Sequence, residues 1–106
     1  EPMNEVLQVF DVAVARIRRG HCKGAYARDA SGNAVDSDHP LAVCWCLLGA
    51  IGEDVRPTIN TGRAAYAAVR RLTDVRGSTG FNDDPATTSA DVIALLERAA
   101  STLRVA

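Results

Sequence analysis

The chain has 106 residues, a formal net charge of -1 and 24% charged side chains, which is one ordinary globular domain by length and composition. That balance argues against a protein whose main task is coating nucleic acid or an anionic membrane. The longest uncharged apolar run, Leu41 to Gly52, is too short to span a bilayer, which needs about 20 residues.

Between Met3 and Arg19 the residues Val6, Leu7, Phe10, Ala13, Val14 and Ile17 recur at helical spacing. The spacing predicts an amphipathic helix with one core-facing stripe. Gly20 is its expected stop, in the position of a left-handed cap. From His21 to Ser37 the pattern changes. Ser31-Gly32-Asn33 stands between two short, semi-alternating runs. It reads as a hairpin turn with positive φ at Gly32. A lone hairpin is marginal in water, so this one must pack on the helices.

Asp38 or His39 then caps a predicted second helix, with Pro40 in its first turn. This helix runs to about Ile51 and is apolar nearly all round, the pattern of a central, buried element. Glu53 and Asp54 near its C-terminus oppose the helix dipole, a placement that nothing in the sequence explains. Glu53 to Gly62 reads as a loop around Pro57, and Thr61 as the cap of a third helix. The stripe of that helix is Ala64, Ala65, Ala68, Val69 and Leu72. Asp74 to Thr87, with Gly77, Gly80 and Pro85, reads as a second loop. Thr88 and Asp91 have the spacing of a capping box, ahead of a last helix that presents Val92, Leu95, Leu96, Ala99 and Leu103. The expected fold is mainly α: a single domain of about four helices with a small β-hairpin inserted after the first. Glu1 and Pro2 read as an addition ahead of a native start at Met3. No signal-peptide pattern opens the chain, and the cysteines are three, an odd number. Free thiols in a reducing cytoplasm are therefore expected.

Cys44, Trp45 and Cys46 crowd together in the predicted second helix. Residues two apart on a helix point about 200° away from each other, so these cysteines neither chelate one ion nor bridge. In this reading Trp45, Cys46 and Gly49 are core anchors, with Cys46 and Gly49 on a small-residue face that admits a close neighbour. A metal site would need Cys22 or His39 to join Cys44 or Cys46 through folding. Cys22 beside His21 resembles a thiol with a base, but neighbours in sequence rarely have that geometry. No catalytic set, cofactor or metal is expected.

Of twelve basic residues only Lys23 is lysine. Most arginines gather at helix C-termini, where the dipole favours them. Arg63, Arg70 and Arg71 on the third helix are the strongest candidates for nucleic-acid contact, a use that is not favoured. Phe81-Asn82-Asp83-Asp84-Pro85 places carboxylates side by side, yet calcium loops space their ligands at alternate positions, and a turn-and-cap role explains the segment more simply.

Cys22 to Gly32 (CKGAYARDASG), Ala42 to Ala50 (AVCWCLLGA) and Phe81-Asn82-Asp83 together resemble the bacterial and phage domain of unknown function 6197. The resemblance covers nearly the whole chain. The family often has Trp where His21 and Phe81 stand. It implies one compact domain and transfers no activity. It does mark Tyr26, Arg28, Asp29, Asn82 and Asp83 as positions that core packing alone does not explain. The functional expectation is a small cytoplasmic interaction or accessory protein of bacterial or phage origin. Its partner would be a protein, either another copy or a host or phage protein. The alternatives are a nucleic-acid-binding regulator using the third helix, and an enzyme joining the Asn82-Asp83 loop to the Arg28-Asp29 hairpin.

Overall fold

α1 (Met3–Arg19) is the spine of the computed structural model, which describes residues 3–55 and 60–104. Its predicted stripe is the one buried: Val6, Phe10, Ala13 and Ile17 are each at most 2% exposed, with Leu7 and Val14 packed at the margin. Burying each large side chain contributes about 1.5–3 kcal/mol. After α1 come β1 (Ala27–Arg28), β2 (Ala34–Val35) and β3 (Cys44–Trp45), then α2 (Leu47–Ile51), α3 (Asn60–Leu72), α4 (Gly77–Asp83) and α5 (Ser89–Arg104). α1 packs against α2, α3 and α5, and α5 closes on α3. The fold is mainly helical with a small three-stranded antiparallel sheet of order β2-β1-β3. Among the described residues it has five helices rather than four.

The hairpin forms where the turn residues place it. Ala27 pairs with Val35 and Arg28 with Ala34, and Gly32 has φ 85°, which a side chain would resist. The last helix also starts as its sequence dictates. Thr88 N donates to Asp91 Oδ2 at 2.9 Å, and Asp91 N donates to Thr88 Oγ1 at 3.2 Å, a reciprocal capping box. The α3 stripe faces inward through Ala65, Ala68 and Val69. α3 begins at Asn60, so Thr61 lies within the helix rather than capping it. Glu1, Pro2 and Pro57 lie outside the described residues.

The predicted second helix is the main correction. His39 to Val43 is a turn and extended chain, in which His39 Nδ1 accepts the Leu41 N–H. Cys44 and Trp45 form a strand, and only Leu47–Ile51 is helical. An apolar run of this length suits a buried strand as well as a buried helix, and the backbone partners decide. On one side Val43 N donates to Arg28 O and Cys46 N to Tyr26 O; on the other Trp45 N donates to Gly20 O and Cys22 N to Trp45 O. With both edges of β3 taken, a helix there would lose four bonds. Cys44 and Cys46 therefore do not sit on opposite faces of a helix. Alternate residues of extended chain point the same way, away from the buried Trp45 ring.

Gly20 ends α1 for a reason other than the expected left-handed cap, since its φ is not positive. A Cβ at Gly20 would overlap the Val43 carbonyl oxygen and lie 3.0 Å from Cys44 Cβ. The glycine lets β3 pass against the helix end. Asp54, the residue that opposed the dipole, also gains a role. Its Oδ2 accepts the Ser37 N–H at 2.9 Å, and Ser37 O accepts Trp45 Nε1–H at 2.8 Å. The acid holds the turn that holds the tryptophan.

The second predicted loop contains α4, so Asn82 and Asp83 end a helix instead of lying in a loop. Arg76 pairs with Asp74 before α4 and with Asp84 after it. Lys23 Nζ donates to the carbonyls of Asp84 and Thr87, which ties the C-terminal end of α4 to the segment before the hairpin. The single lysine is thus a strut within the fold.

Candidate functional site

The segment before β1, the hairpin, the start of α2 and one face of α4 enclose a cleft of about 500 Å3. Gly24, Ala25 and Tyr26 form one wall, and Ala34, Val35 and Asp36 continue it along β2. Cys46 and Leu48 form the floor, and Ser78, Thr79, Asn82 and Asp83 come from α4. Ser78 and Asn82 are four apart, which stacks them on one helical face.

Asn82 is what brings these walls together. Its side chain is 2% exposed. Oδ1 accepts the Leu47 N–H at 3.0 Å and bonds His21 Nε2 at 2.8 Å. An oxygen acceptor requires the proton to sit on Nε2 of His21. Nδ2 donates to Cys22 O at 3.2 Å and to Asp83 Oδ1 at 2.9 Å. All four hydrogen-bonding positions of the amide are filled. Asp83 Oδ1 also accepts the Gly24 N–H at 3.1 Å. One buried amide thereby ties α4 to α2 and to the end of α1, and Asp83 adds the segment before β1.

Of the sequence-marked positions, Tyr26, Asn82 and Asp83 line the cleft, while Arg28 and Asp29 do not. Arg28 donates to the carbonyls of Gly32 and Lys23. Asp29 Oδ1 accepts the N–H groups of Ser31 and Asn33 at 2.9 Å. These bonds, that of Asn33 first, hold its carboxyl below the usual carboxylate range. Both residues build the hairpin. Arg63, Arg70 and Arg71 are exposed on α3. Arg70 lies 5.8 Å from the Tyr66 ring centroid, and Arg63 faces Glu53 electrostatically. The anchors Trp45 and Gly49 are buried, and Cys46 is half-buried. Arg19 and Arg16 lie 4.8 and 5.7 Å from the Trp45 ring centroid.

Ser78 and Asp36 belong to the cleft but carry no mark in the sequence. The signal for Ser78 is its spacing from Asn82, visible only once the glycine-rich segment is read as a helix.

Cys22, Cys44 and Cys46 are free thiols; Cys22 lies against Cys44, and Cys46 lines the cleft. Among the described residues no group of three or more His, Cys, Asp or Glu is placed to hold a metal ion. His39 is occupied in its own turn. Cys46 caps α2 by accepting the Gly49 N–H at 3.3 Å, and burial pushes its thiol up. Cys22 is pushed up from 9.0 to about 12, first by burial and then by the adjacent Cys44 thiol. Below pH 9 the thiolate fraction of Cys22 is then far lower folded than unfolded. Iodoacetamide at pH 8 is expected to label Cys22 at least about tenfold more slowly in native protein than in urea, read by mass spectrometry. The linkage has a definite sign. The unfolded chain releases this proton near pH 9 and the folded chain near pH 12. Stability from this group is complete below pH 9 and falls as pH rises towards 12.

No described helix is long and apolar enough to cross a membrane. No curated protein and no solved structure matches the chain. The description "Family of unknown function (DUF6197)" matches residues 1–102, and the chain belongs to that family.

Proposed function

We propose that the chain is a small interaction or accessory protein that holds part of a partner protein in the cleft between the hairpin and α4. The observation that carries this reading is convergence. The three stretches singled out in the sequence, Cys22–Gly32, Ala42–Ala50 and Phe81–Asp83, are far apart in the chain, and each contributes to the lining of this cleft. Ala25, Ala34, Val35 and Leu48 make the lining largely aliphatic, as in most ligand pockets. Its charged side chains are carboxylates, Asp36 and Asp83, which disfavours a phosphate-rich partner. The Cys46 thiol is kept protonated by burial and engaged by Gly49, so it serves as lining rather than as a nucleophile.

The test uses 1-hexanol as a minimal apolar probe, followed by amide chemical shifts. Saturable shifts on the order of millimolar Kd are expected at Tyr26, Leu48 and Thr79. Ala34 is exposed on β2, so Ala34→Trp adds a ring at the cleft wall without entering the core. That variant is expected to fold and to lose the shifts at least about fivefold. Shifts scattered over other faces, or unchanged by Ala34→Trp, would overturn the reading.

A further inference from the structure

We propose that Cys22 and Cys44 are an oxidisable pair, closing to a disulfide when the native chain meets a small-molecule disulfide such as oxidised glutathione and reopening with a dithiol reductant. The proposal does not depend on what the cleft binds.

The strand geometry brings the pair together. His21 bridges Trp45 in parallel register, with Trp45 N donating to Gly20 O and Cys22 N to Trp45 O. The segment after α1 therefore runs one strand spacing, about 4.8 Å, from β3. Cys22 follows His21 and Cys44 precedes Trp45, so the two cysteines are diagonal neighbours, while Cys46 is level with Cys22. The side chain of Cys22 leans to the diagonal, where its thiol donates a hydrogen bond to the Cys44 sulfur. Gly20 abuts Cys44 and has no side chain to cover it. Cys46 is held apart from the pair, its sulfur accepting the Gly49 N–H at the start of α2. Neither Cys22 nor Cys44 belongs to the hydrophobic core, and both are only half-buried, so a small oxidant can reach them.

The chemistry balances as two exchanges. The Cys44 sulfur attacks one sulfur of the oxidant, the oxidant's S–S bond breaks, and one glutathione leaves as a thiol. The Cys22 sulfur then attacks the Cys44 sulfur of the mixed disulfide and expels the second glutathione. The protein loses two electrons, and its two thiol protons end on the two released thiols. Cys44 goes first because Cys22 is the thiol held protonated, partly by Cys44 itself. Once Cys44 is in a mixed disulfide it no longer carries the charge that opposes ionisation of Cys22. The closed loop contains β1, β2 and the turn between them, so oxidation fastens one wall of the cleft to β3.

The experiment incubates the full chain with glutathione buffers of rising oxidised fraction, in native buffer and in urea, followed by acid quench and disulfide mapping by mass spectrometry. In native buffer the Cys22–Cys44 bridge is expected to exceed the other two pairings together at least about tenfold, and urea should abolish that preference. Cys46→Ser should bridge as the parent does. Cys22→Ser should stop with glutathione on Cys44, because nothing resolves the mixed disulfide. Dithiothreitol should return the parent to three thiols with an unchanged circular dichroism spectrum. A native bridge between Cys22 and Cys46, or the same pairings in native buffer as in urea, would overturn the assignment of the pair. Glutathione persisting on Cys44 of the parent would overturn the resolving role of Cys22. A native chain that stays fully reduced where the urea-unfolded chain is oxidised would overturn the proposal outright.

Discussion

Gly49→Ala is expected to destabilise the protein by at least about 3 kcal/mol, near the upper end for overpacking, and to lower Tm by roughly 15 °C. The cause is a single contact. A Cβ at Gly49 would overlap the Tyr26 carbonyl oxygen and lie 2.7 Å from its carbon. Neither neighbour is a flexible side-chain end. Tyr26 O already accepts the Cys46 N–H, and Gly49 O accepts from Arg16 Nη1 at 3.0 Å, so both backbones are pinned. A shift of α2 away from Tyr26 would also open the floor of the cleft. Thermal denaturation followed by circular dichroism checks this. A melting point within a few degrees of the parent would show that α2 and the segment before β1 are not in this contact.

Asn82→Ala is the second large effect, expected at about 3 kcal/mol in urea denaturation. Truncation strands the Leu47 N–H and the Cys22 carbonyl in buried surroundings and frees the His21 ring. Each buried group left unpaired costs about 1–3 kcal/mol. The loss should fall mainly on the docking of α4, so the variant should also lose the hexanol shifts at Thr79. His21→Ala removes one partner of the same hub and should cost less, about 1 kcal/mol. Equal losses for the two variants would contradict the central place given to Asn82.

Much of the frame was legible from spacing alone. α1, α3 and α5 bury the stripes that their periodicity marks, because each helix has one apolar face and one core to meet. The hairpin and the α5 cap were legible because Gly32 and the Thr88–Asp91 pair act within a few residues of chain. Cys44 to Ile51 was not legible in the same way. Its apolar character says only that it is buried, and its strand character comes from Gly20, Tyr26 and Arg28, which are remote in sequence. α4 was hidden by its glycines and short polar residues, which favour loops in isolation. It stands as a helix because Lys23, Arg76 and Asn82 fasten its two ends.

The candidate site divides along the same line. Tyr26, Asn82 and Asp83 were marked by the family resemblance and do meet at the cleft, whereas Arg28 and Asp29 spend their polar atoms on the turn beside them. The cysteine pair that first suggests a thiol centre instead flanks a tryptophan on a strand. One thiol caps α2, and the other lies against Cys22. Their proximity to the cleft is a consequence of where β3 must run, between the end of α1 and β1.

The most direct measurement of the central claim, that Asn82 assembles the walls of the cleft, is the nuclear Overhauser pattern of its side-chain amide protons. The structure predicts slowly exchanging Nδ2 protons with cross-peaks to Cys22 and Asp83, together with a protected Leu47 amide. A rapidly exchanging Asn82 amide with no cross-peaks to the segment after α1 would contradict it.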